Sequence, residues 1–313
     1  MPLLAALAFL GLTLLLGTPL AQVVLRTPVR LRVPALGLAL LTAAWTAQVA
    51  VTLGTLGLSA ADVPAFLTDT GTGRAMLTGL LGGTLLLAAR VSLTPLLPLG
   101  PALAMLPGAL LLVWGASGVG HGAGHTLEIR ALHALHLTAM SAWVGGVIAL
   151  TLARPLAARA AARFTPLATG SLAALAVTGL LLGSEHLPTP AEWTGTRYGQ
   201  TLLVKLILVT LAVGAAALVR RAFARQDRRV RLLLAREAVL LLAVLGVTGV
   251  LSTTDPHDHP GPDHSQGQFH LPAARHAHIV QRSASQQNSE SVRETLPTSE
   301  LSGLAELRSR AST

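Results

Sequence analysis

Again and again between the N-terminus and about Leu251, the chain runs through stretches of about 18–25 residues that carry almost no charge. An α-helix needs about 20 apolar residues to cross a hydrocarbon core about 30 Å thick. Each run therefore reads as a membrane-crossing helix. Only 12% of the residues are charged, about half of what a water-facing globular surface uses. The expected fold is all-α, a polytopic bundle of about eight transmembrane helices.

The expected spans are 3–25, 34–57, 75–93, 99–119, 130–152, 165–184, 200–221 and 233–252. Pro95, Pro98 and Pro101 crowd the junction of the third and fourth, where proline marks a boundary or a kink. After Ser252 the composition turns polar and rich in Ser, Gln, Pro and His. Two regions follow: a transmembrane bundle over 1–252 and a disordered, histidine-containing extracytoplasmic tail over 253–313. The first segment has no Lys or Arg ahead of its apolar run. It therefore reads as a retained helix and not as a signal peptide.

The net charge of +9 does not point to nucleic acid, because the basic residues sit in short connections between apolar runs. Arg26, Arg30, Arg32, Arg90, Arg154, Arg159, Arg163 and a cluster from Arg220 to Arg236 follow the odd-numbered helices or border them. The connections after helices two, four and six hold only Arg74, Arg130 and Arg197, beside Asp62, Asp69, Glu128, Glu185 and Glu192. Cytoplasmic loops are the arginine-rich ones, so both termini are expected outside the cytoplasm, in a cell inner membrane. Cysteine is absent, which removes disulfides and thiolate metal sites.

Two halves of the chain echo each other. Thr70-Gly71-Thr72-Gly73 precedes the third helix and Thr196-Arg197-Tyr198-Gly199 the seventh, while Gly17 and Arg26 recur as Gly145 and Arg154. Two four-helix repeats of the same orientation would produce this pattern.

On that topology the histidines gather outside. His121 and His125 end helix four, His133 and His136 open helix five, and His186 ends helix six. The others, His257, His259 and His264 among them, lie in the tail, which reads as a metal-concentrating tract. His133 and His136 are three residues apart and share a helix face. Met140 continues that stripe one turn deeper. Imidazole and thioether are donors suited to Cu(I). The bland alternative is backbone hydrogen bonding at headgroup depth, with Met140 as packing. Trp143 reads as packing, and Gly145 and Gly146 as places of close helix approach. Lys205, the single lysine, either snorkels to the surface or pairs with Glu185 or Glu192. Glu237 is expected to neutralise nearby arginines, with an ion or proton role as the alternative. Lys205 and Glu237 are the candidates for a charge pair or for coupling. No residues suggest an enzyme.

Leu132-His133-Ala134-Leu135-His136-Leu137, leading into Trp143-Val144-Gly145-Gly146, resembles the hallmark helix of the copper resistance protein D (CopD) family. The likeness continues through Arg163-Phe164, Thr178-Gly179, Gly195-Thr196-Arg197-Tyr198-Gly199, Leu202-Leu203-Val204-Lys205 and Glu237, and Gly120-His121 lies just upstream. It is best over 115–252. The resemblance implies an eight-helix membrane protein for copper uptake or tolerance, working with a periplasmic copper-binding partner of the CopC type. It also implies that His121, His133 and His136 handle copper. Two other functions stay open: a b-haem electron carrier with axial histidines, and a copper chaperone or assembly factor for a respiratory oxidase that does not itself transport.

Overall fold

The computed structural model describes residues 1–26, 30–92, 100–119, 126–154, 156, 158–186 and 190–254. Long helices are α1 (Pro2–Leu25), α2 (Arg32–Thr55), α3 (Gly71–Ser92), α4 (Gly100–Ser117), α5 (Leu127–Leu152), α6 (Ala158–His186), α7 (Arg197–Ala224) and α8 (Val230–Leu251). Short helices, Val63–Asp69 and Pro190–Gly195, lead into α3 and α7. α1, α2, α3, α5, α6 and α7 are long and apolar enough to cross a membrane. The chain is an all-α polytopic bundle, as its apolar runs require. Many large aliphatic side chains point outward, Leu81, Leu110, Leu180 and Ile207 among them. Such a surface is stable only against lipid.

Consecutive helices pack as pairs: α1 with α2, α3 with α4, α5 with α6, α7 with α8. Short connections make each pair antiparallel. Between pairs, α1 packs on α8 just as α5 packs on α4. α1 and α5 cross at the centre, at Gly17 and Gly145. A Cβ on Gly145 would lie 2.6 Å from the Cα of Gly17, and one on Gly17 would collide with the Ser141 carbonyl. The two glycines that echo each other in sequence therefore touch in space. Thr13 and Ser141, which share the same sequence offset, are also fully buried near this crossing. The first turn of the contact, Thr13–Gly17, is a π-helix.

The second sequence echo is structural too. Thr196 Oγ1 accepts from the Gly199 N–H at 3.0 Å and donates to the Glu192 carbonyl at 2.8 Å. Thr70 Oγ1 accepts from Gly73 at 2.9 Å and donates to Phe66 at 2.7 Å. Each threonine caps a long helix and ties it to the short helix before it.

One end of the bundle carries the arginines, which close helix C-termini. Arg163 Nη1 reaches the Leu25 carbonyl and Arg231 Nη2 the Ala153 carbonyl, both at 3.5 Å, and Arg90 Nη2 donates to Gln22 at 2.5 Å. Cations at these negative ends are favourable. At the opposite, histidine end, Arg130 lies 4.3 Å over the Trp114 ring and donates to the Trp114 carbonyl at 2.9 Å. This pins the start of α5 against α4. His121, His125 and the tail from residue 255 lie outside the described residues, as does the side chain of His186.

Candidate metal site

α5 brings His133 and His136 to one cavity of about 180 Å3 at the histidine end. Their spacing of three puts both imidazoles on the same face. Gly179 and Gly183 of α6 leave room beside them, and α7 adds Tyr198 and Lys205. Ser117, Thr248 and Ser252 complete the polar lining, with Phe9, Leu137, Leu182, Leu202 and Leu251 as its apolar part.

The ring of His136 is held by a partner on the neighbouring helix. Its Nδ1 lies 2.8 Å from Thr178 Oγ1. The Thr178 hydroxyl is itself 2.6 Å from the Ala174 carbonyl, and a carbonyl can only accept. Its single hydrogen is therefore spent, and Oγ1 accepts from an N–H on Nδ1. In the neutral ring this tautomer leaves the Nε2 lone pair available. A hydrogen bond to the second nitrogen is how proteins fix the orientation of a metal-ligating histidine. Thr178 is buried, so the contact is shielded from competing water.

In the sequence, Thr178 and Tyr198 stand out only by likeness to a family motif, which assigns them no role. The signal for Thr178 was its place on the helix facing α5, which no spacing rule exposes. Lys205, which the sequence leaves either to snorkel to headgroups or to pair with Glu185 or Glu192, lines the cavity that also holds the two imidazoles. Met140 is 5% exposed and belongs to the apolar core. It lies one turn below His136 and does not line this cavity. Among the described residues, no group of three or more His, Asp or Glu side chains is arranged to hold a metal ion. The donors gathered here are two imidazoles, which suit a soft cation of low coordination number better than Mg or Ca.

Trp143 and Glu237 meet elsewhere in the bundle. Glu237 is 3% exposed and accepts a hydrogen bond from the Trp143 indole. The sequence reading had given it to nearby arginines.

Residues 158–251, spanning α6, α7 and α8, match the family model of copper resistance protein D. Over this stretch the chain is similar to that family. The matched segment contributes Gly179, Tyr198, Lys205 and Thr248 to the cavity, supplies Thr178 to the His136 ring, and contains Glu237. It begins after α5, the helix that carries His133 and His136. A copper transport protein, CutJ, of Bacillus subtilis (strain 168), is 32% identical over 142 residues, or 41% of this chain and 26% of the relative. The match thus spans about a quarter of that relative's length. No solved structure matches this chain.

Proposed function

We propose that this chain moves copper across the cytoplasmic membrane, capturing it through histidines at the extracytoplasmic face and passing it into the helix bundle. The observation that carries the reading is the pairing of His133 and His136 in one cavity of a membrane helix bundle, beside a CopD segment. The arginine end faces the cytoplasm by the positive-inside rule, so the cavity faces outward. His121, His125, His186 and the tail histidines His257, His259 and His264 would capture copper on that side of the membrane. A periplasmic copper-binding partner of the CopC type would deliver it there. Copper is cargo, taken as Cu(I). From His136 the ion would pass to Met140, the next donor on the same face of α5.

A b-type haem takes an imidazole from each side of its ring. Here both imidazoles come from one helix, into a space of about 180 Å3, which favours a bare ion. Anaerobic Cu(I) titration of the full-length protein tests the reading. Wild type is expected to bind, and His133→Ala with His136→Ala together to lose at least about tenfold in affinity and to abolish copper accumulation by cells. Unchanged binding and unchanged cellular copper in the double variant would refute it. Vesicles that bind copper without passing it would favour an assembly factor instead.

A further inference from the structure

At the arginine end, α5, α6, α7 and α8 enclose a larger space of about 990 Å3. Small residues keep it wide: Ala161, Ala162 and Ala168 on α6 and Ala216 and Ala217 on α7. Water can enter a space of this size where polar groups hold it. The charged residues lining it are Glu237 of α8 and Arg220 of α7. Arg220 is exposed. Glu237 is buried and accepts the indole N–H of Trp143. The lining of α6 adds Thr165 and Thr169, which do not titrate in the ordinary range, and that of α5 adds Trp143.

A carboxyl inside a membrane helix is expensive and is normally kept for ion or proton handling. Holding an indole N–H does not require it, since a neutral acceptor would serve. Carboxylate oxygen is a hard donor, poorly matched to Cu(I), so the occupant that fits is a proton. His136 and Trp143 lie seven residues apart on α5, about 10 Å along the axis, with Met140 between them. The two spaces therefore lie along one face of α5, with Met140 in the core between them.

We propose that Glu237 is a proton-exchange site: an O–H bond of hydronium in this chamber breaks as one forms on the carboxylate, leaving water, the Trp143 hydrogen bond changes from charge-assisted to neutral, and the reverse transfer returns the proton to water. That this exchange drives cargo through the bundle rests on the transport reading above; the proton site itself does not.

The test uses the full-length protein in lipid nanodiscs. The emission of Trp143, isolated as the difference between wild type and Trp143→Phe, is followed from about pH 5 to about pH 9. A shift with pH that persists in Glu237→Asp and vanishes in Glu237→Gln is expected. A Trp143 signal that does not move with pH in the wild type, or moves equally in Glu237→Gln, overturns the site. In reconstituted vesicles, Glu237→Gln is expected to lose the pH dependence of copper flux and about tenfold in rate, with Cu(I) affinity at the outer cavity unchanged. Flux with wild-type pH dependence in that variant overturns the coupling. Wild-type vesicles that pass no copper overturn both the coupling and the transport reading, while the optical titration still decides the proton site.

Discussion

Thr178 shows how far a candidate metal site can depend on a residue that carries no metal-binding chemistry. Its hydroxyl is committed to the Ala174 carbonyl, so its oxygen can only accept from the His136 ring, which in the neutral ring leaves the Nε2 lone pair available. Replacing it with valine keeps the shape and removes the acceptor. Thr178→Val is expected to weaken Cu(I) affinity by about 10- to 100-fold, the usual cost of losing such an orienting partner. Thr178→Ser should retain most of it. Competition against a calibrated Cu(I) chelator measures both. Equal affinity in wild type and the valine variant would mean that His136 needs no help to orient. Lys205 is a second case. It lines the same space as two imidazoles, and an ammonium there repels an arriving cation. Lys205→Met is therefore expected to tighten copper binding at neutral pH, read in the same titration.

For the helices, close approach sets the tolerance for change. The α1–α5 crossing has no space for a side chain, because Gly17 and Gly145 lie backbone to backbone. Gly145→Val should destabilise the bundle by about 1–3 kcal/mol or more, the range for overpacking, and lower the melting temperature in detergent. Gly214, with nothing within 4 Å of a built Cβ, is the matched control, and Gly214→Ala should leave melting unchanged or raise it. Thr196→Val removes the cap of α7 and its tie to the preceding short helix. It should cost about 1 kcal/mol. The equivalent change at Thr70 should cost a similar amount, because the two caps have the same geometry.

At the scale of the whole molecule, orientation is the main prediction. The chain lacks cysteine, so single introduced thiols report cleanly. In intact cells, Thr254→Cys is expected to react with a membrane-impermeant maleimide and Arg228→Cys to react only after lysis. The reverse pattern would put the histidine end in the cytosol and remove the capture role. The two halves of the bundle share helix pairing, central glycines and threonine caps, yet differ in chemistry. Lys205 corresponds, at the offset of the caps, to Gly79, and a Cβ there would lie 2.6 Å from the Trp45 ring. One half fills with indole the position where the other places an ammonium beside imidazoles. A chain ending at Thr254 tests the tail: it should keep the His133–His136 affinity and lose only weaker additional sites.

Element type and number were legible in the residues, because an apolar run as long as a bilayer is thick has few other ways to satisfy its backbone. That His133 and His136 share a face was legible as well, since helical periodicity fixes which side chains lie together. Periodicity does not tell which neighbouring helix a face meets. Packing alone brought Thr178 to the His136 ring, turned Lys205 toward the imidazoles, moved Met140 into the core and gave Glu237 to Trp143. Those contacts join residues far apart in the chain, and they depend on the angles and separations at which small residues let the helices cross.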